Sequence, residues 1–286
     1  MTRRVLCALL FWLLVPIAQG QTATEAIRKI RPSVVQIRWQ LWNLTDEAKK
    51  RWKEKREKDA SQMEEGAAGT GFIVNTDGYI ITALHVINDA LILFKQFPAA
   101  EQNMLVAMPT SPPGRDDGVF TWQSRGFELV ETDREHDLAL LKVRDLEGWM
   151  GTRFQGRDFV LRPEAVHIAS RVSEGEQIAV SGYPFASELP QLMTNVGWLA
   201  TDLMRPDVLI PGKPGTYRDY LYLGDVRVNP GNSGGPVYRV RDGAVLGVVI
   251  SNLLGHTNLA GIVPMRPVTA LLEKNGVSWL RVLDEN

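Results

Sequence analysis

The chain has 286 residues, 44% of them hydrophobic, which is ample for one large domain or two packed halves. Its formal net charge is −1, and its aromatics are not interleaved with a basic patch, so nucleic acid drops out as a partner. A single cysteine, Cys7, excludes a disulfide framework.

The chain opens MTRRVLCALLFWLLVPIAQG. Arg3 and Arg4 precede an apolar run from Val5 to Val15, and Ala18 and Gly20 put small residues where a signal peptidase reads. The run is shorter than the ~20 residues of a membrane span. Residues 1–20 therefore predict a cleaved signal peptide, with an uncleaved anchor as the alternative. The mature part, 21–286, is expected to be a single domain without a membrane span, exported to the periplasm or the cell exterior. Cys7 lies in the leader, so the mature chain depends on its core rather than on disulfides.

Short strand-like runs follow. VVQIRWQLW (34–42) alternates apolar and polar residues. GFIV (71–74), YIIT (79–82), LALLKV (138–143), QIAVSG (177–182), YLYL (220–223) and AVLGVVIS (244–251) are rich in β-branched or aromatic residues. Asp77-Gly78 and Asp242-Gly243 are turn signals. Strands recurring without helices between them predict an antiparallel all-β fold, a barrel or a sandwich.

Two segments read as helices. TDEAKKRWKEKREKDASQMEE (45–65) has Thr45 as a plausible N-cap and acid-first pairs such as Asp46/Lys50 and Glu54/Lys58. It predicts a charged helical insertion, either a solvated excursion or an arm that contacts another subunit or the active site. The stretch from Val268 to Lys274, stopped by Asn275-Gly276, predicts a C-terminal helix over about 265–275. Residues 95–118 and 205–218 are rich in Pro and Gly and read as long loops.

The stretch VNPGNSGGPVY (228–238) surrounds one serine, Ser233, with glycine and proline. A serine becomes a nucleophile only with a base, a group orienting that base, and donors for the oxyanion. Of the four histidines, His85 stands out. GTGFIVNTDGYIITALHVI (69–87) reads strand, turn, strand, and ends with His85 at a sheet rim. In REHDLALLKV (134–143), Asp137 stands at the mouth of an apolar strand, where a carboxyl group needs a partner such as an imidazole. Strand alternation would turn the neighbouring His136 the other way. His167 and His256 show no partner spacing. No metal motif is present, so no metal or other cofactor is expected.

The order His85, Asp137, Ser233 resembles the trypsin-like serine proteases. Within them, GTGFIVNTDGYIITALHVI, DLALLKV, GEQIAVSGYPF, VNPGNSGGPV and LAGIVP resemble the HtrA/DegP type, in order, over most of residues 30–265. The resemblance implies two perpendicular six-stranded antiparallel β-barrels with the active site in the cleft between them. It implies Ser233 as nucleophile, His85 as general base and then acid, and Asp137 as orienter. The oxyanion hole would be the N–H groups of Gly231 and Ser233, with Asn232 shaping the turn. The S1 wall would hold Val228, Ser251 and Asn252. Protein or peptide substrates are implied, as is envelope quality control. A trimer is also implied, with 21–45, including Trp39 and Trp42, as its apolar contact. The alternative is a protein-binding or chaperone-like module on the same fold, with its site idle.

Three features depart from the pattern. About twenty residues follow Pro264, so the PDZ domain that such proteins usually append is not expected. Asn232 stands where trypsin-like zymogens carry an aspartate, so capture of a new N-terminus is not expected. Arg227 replaces a small or apolar residue. Because it alternates with Val228, only one of the two can line S1, and Val228 is the expected one.

Overall fold

The computed structural model describes residues 22–48, 50, 63–110, 121–146, 151–154, 157–160, 166–169, 171–184, 191–204, 221–252 and 258–282. The expected signal peptide, residues 51–62 of the charged insertion and the 205–218 loop lie outside them. Among the described residues, no helix is long and apolar enough to cross a membrane.

Two closed barrels make up the fold. The first contains β1 (Val34–Trp42), β2 (Met63–Ile73), β3 (Tyr79–Ala83), β4 (Glu101–Thr110), β5 (Thr121–Asp133) and β6 (Leu138–Val143). Its ring order is β1-β2-β3-β6-β5-β4, all antiparallel, closed by β4 on β1. Next come the hairpin β7 (Gly151–Phe154) and β8 (Arg157–Val160), and a short β9 (His167–Ala169). The second barrel uses β10 (Gln177–Gly182), β11 (Met193–Met204), β12 (Leu221–Asp225), β13 (Pro236–Arg239), β14 (Val245–Asn252) and β15 (Leu259–Pro264). They run β13-β10-β11-β12-β15-β14, and the pairing of β13 with β14 closes the ring. Outside it, β9 pairs parallel with β14, and β16 (Leu280–Val282) pairs parallel with β9.

Helices α1 (Ala23–Ile30), α2 (Leu84–Lys95) and α3 (Met265–Lys274) accompany the barrels. The sequence reading contained neither α1 nor α2. Thr22 caps α1 with a capping box, accepting the Glu25 N–H while Glu25 Oε2 accepts the Thr22 N–H. In α2, the residues Leu84, Val86, Ile87, Ala90 and Phe94 are buried on one side, a helical spacing hidden by its continuity with the strand-like run before it. α3 lies where the C-terminal helix was expected. Pro267 falls in its first turn, where no N–H is needed.

The two remaining segment expectations are corrected in part. Thr45 does cap a helical start, its hydroxyl accepting the Ala48 N–H at 3.2 Å. Met63 to Glu65, however, are not helix. They extend β2 and pair with Trp42, Leu41 and Gln40 of β1. Likewise 95–118 is not one loop, because 101–110 is β4. Pro109 lies beyond Ala107, the last residue of β4 paired with β1, so its missing N–H interrupts nothing on that side.

The largest core cluster crosses from one barrel to the other. It joins Phe72, Ile81 and Leu140 to Tyr238, Val248 and Val263, with Val268 and Leu272 of α3. Ile178, Val180 and Val237 fill the interior of the second barrel. Trp39 packs with Leu41, Ala90 and Phe94 beneath α2 and is only 5% exposed, so it cannot supply the subunit contact expected of it. Trp42 remains on the surface.

Candidate active site

β3 ends at Ala83 and α2 starts at once, so His85 sits in the first helical turn at the rim of the first barrel. Asp137 is not on β6 but in the turn before it, with φ +55, a left-handed conformation that Asp tolerates better than most residues. Its Oδ2 lies 2.5 Å from His85 Nδ1, and its Oδ1 accepts the His85 backbone N–H at 2.8 Å. The Asp137 carbonyl accepts the Leu84 N–H at 2.8 Å. The carboxyl group is therefore nearly buried yet well partnered, and it holds the ring with Nδ1 facing inward. Burial alone would lower the His85 pKa. The Asp137 hydrogen bond and charge, with Asp89 beyond, outweigh that and hold it above the ordinary 6.5.

His136 is separated from this pair by the turn itself, not by strand alternation. Its Nδ1 lies 2.6 Å from Asp133 Oδ2, and its N–H donates to Asp133 Oδ1.

In the second barrel, Asn229 to Asn232 form a β-turn closed by Asn232 N–H to Asn229 C=O at 3.0 Å. Pro230 occupies its second position and Gly231, at φ +101, its third, the type II signature. Gly231 is also required by space, since a Cβ there would collide with the Tyr183 carbonyl. Gly235 N–H donates to Asn232 C=O, and Gly234 N–H to Val249 C=O, which fastens the loop to β14. Asn232 is buried, with no partner for its Oδ1 among the described residues. Among those residues, neither the Gly231 nor the Ser233 N–H has a protein acceptor. The Ser233 hydroxyl donates to the Ile250 carbonyl at 3.2 Å.

His85 and Ser233 line one cleft of about 300 Å³, together with Ala68, Asp89, Val228 and Ile250. Gly231 and Asn232 border it as well. Asp137 stands behind the His85 ring. Val228 contributes an apolar wall, while Arg227 is exposed and its carbonyl accepts from Asn195 Nδ2. Ser251 and Asn252 belong to β14, but their side chains lie outside the described residues. Sequence reasoning missed Asp89. Its signal was the i,i+4 spacing from His85, which has meaning only once α2 is read as a helix. It also passed over Thr70, whose contacts with the Ser233 loop come from the other barrel.

A family model described as a trypsin-like peptidase domain matches residues 69–248. A relative from Bartonella henselae, named "Probable periplasmic serine endoprotease DegP-like", is 28% identical over 225 residues, covering 76% of this chain and 36% of its own. The chain thus spans little more than a third of the length of the curated relatives it matches. Among solved structures, the HtrA-type protease AlgW with decapeptide superposes with a TM-score of 0.59 at 17% identity, over 88% of this chain and 67% of that one. The active form of the Rv3671c protease from M. tuberculosis gives 0.55 at 21% identity, over 97% and 96%. These two likenesses speak to the fold.

Proposed function

The chain belongs to the trypsin-like peptidase family, and from that premise we propose that it is a serine endopeptidase acting through an acyl-enzyme. One observation carries the proposal: the His85–Asp137 pair of the first barrel and Ser233 of the second open onto the same cleft. In this reading His85 Nε2 takes the Ser233 proton as Oγ attacks the scissile carbonyl. The Gly231 and Ser233 N–H groups receive the oxyanion. His85 then protonates the leaving amine, and water cleaves the acyl-enzyme. The type II turn supports a hole already in working shape. In a type I turn the third residue would sit near φ −90°, with the central peptide turned over.

The Ser233 hydroxyl has to leave the Ile250 carbonyl to reach His85. That contact is the one feature suited to the rival reading, a protein-binding module with an idle site. The hydrogen bond from a nucleophile to its base often forms fully only with substrate present, so proteolysis is the better account. Unfolded envelope proteins are the substrate class proposed, by analogy with the DegP-like relatives, and the proposed location is the periplasm or cell exterior. Val228 suits a small or medium apolar P1 side chain.

The test is cleavage of casein, with wild type beside Ser233→Ala. Wild type should cleave it and Ser233→Ala should lose nearly all turnover while folding normally. Equal activity in the two proteins would overturn the assignment of the nucleophile, and an inert wild type would favour the binding module.

A further inference from the structure

We propose that Thr70, in the first barrel, is the positioning residue that sets the shape of the Ser233 loop in the second. The inference rests on the serine-peptidase reading above.

Thr70 is fully buried on β2, and its polar groups turn toward the loop. Its N–H donates to the Ser233 carbonyl at 2.9 Å. Its hydroxyl donates to the Gly231 carbonyl at 2.6 Å and accepts the Tyr183 N–H at 3.0 Å. The two carbonyls flank the peptide that carries the Ser233 N–H. Anchoring both neighbours narrows the backbone angles open to that peptide, and its own carbonyl, on Asn232, accepts the Gly235 N–H at 2.9 Å, so the rigid plane is held with its N–H in one direction. Holding the Gly231 carbonyl also limits how the Gly231 N–H can swing.

The chain of contacts continues toward the base. The Thr70 carbonyl accepts the Thr82 hydroxyl at 2.6 Å, and Thr82 lies on β3, three residues before His85. The strand that leads into the helix of the base and the loop that carries the nucleophile are thus joined through one residue. The glycines around it make room for the joint. A Cβ on Gly234 would strike the Thr70 carbonyl and the Thr82 hydroxyl, and one on Gly182 would crowd the Thr70 hydroxyl.

A packing role and a positioning role respond to opposite changes. Thr70→Val keeps the shape but removes the partner of the Gly231 carbonyl and of the buried Tyr183 N–H. Thr70→Ser loses a methyl group and keeps the hydroxyl. The experiment measures kcat and KM on a chromogenic peptide and the rate of labelling by a fluorophosphonate, with circular dichroism as the folding control. Thr70→Val should lower both kcat and the labelling rate by about 10²-fold, the scale of a lost oxyanion donor, with KM nearly unchanged. Thr70→Ser should stay close to wild type. If Thr70→Val does not fold, Thr70→Cys, a weaker donor of similar size, carries the test and should label more slowly than Thr70→Ser. Labelling of the folded valine or cysteine variant at the wild-type rate would overturn the proposal. So would a serine variant as impaired as the valine one. If wild type itself does not label, it is the serine-peptidase reading that fails, and the proposal falls with it.

Discussion

At the scale of single residues, the site turns on how His85 is charged. Burial pulls its pKa down, but Asp137 and Asp89 together hold it above the ordinary 6.5. In the proposed mechanism His85 is the base and must be neutral to take a proton, so kcat/KM should rise with pH through a pKa above 6.5. Asp89→Asn removes one of the charges favouring the protonated ring, and the acidic limb should move to lower pH. A pH–rate profile of both proteins checks this, and an unmoved limb would remove Asp89 from the electrostatics of the site. The sign for stability is the reverse. A raised folded-state pKa adds stability that is full below the unfolded value and is lost as pH rises through the folded one. The candidate residues His85, Asp137 and Ser233 could be picked out in the sequence because each stands in a distinctive local pattern. The left-handed Asp137 was not, because nothing in REHDLALLKV shows that its carboxyl group must serve a ring and a backbone N–H together.

At the scale of elements, the turn joining β13 to β14 shows how a surface signal can hide a buried network. Asp242-Gly243 reads as a simple turn, and Gly243 does adopt φ +71. Yet Arg239, one of the largest fully buried side chains, reaches into that turn and pairs with both oxygens of Asp242, at 2.7 and 3.3 Å. Its guanidinium also donates to the Arg171 carbonyl, and Lys29 of α1 donates to the Asp242 carbonyl. Removing Arg239 takes from Asp242 its nearest cation, leaving Arg241 at 3.8 Å, and takes a partner from Glu176 as well. Arg239→Leu should therefore cost about 3 kcal/mol, the lower end for a buried pair, because Asp242 is still 28% exposed to water. Urea unfolding measures it, and a change below about 1 kcal/mol would show the pair to behave like a surface one. The same limit explains β4 and α2. Prolines masked the strand and a strand-like apolar run masked the helix. Which pattern prevails depends on partners that lie far away in the chain.

At the scale of the molecule, the barrels share the largest core cluster. Phe72 and Leu140 from the first pack in the same cluster as Tyr238 and Val248 from the second. The two halves should therefore unfold together, giving one calorimetric transition, whereas two resolved transitions would mean that the halves are thermally independent. The sequence by itself determined the all-β class, seven of the strands, the His85–Asp137–Ser233 order and the glycine-rich loop, because periodicity and turn chemistry act over a few residues. Only the tertiary structure decided how each barrel closes, that Trp39 is buried, that Asp89 faces the cleft, and that Thr70 holds the loop around Ser233. Those outcomes join residues tens to hundreds of positions apart. They follow from packing and from the pairing of buried polar groups, which no local pattern encodes.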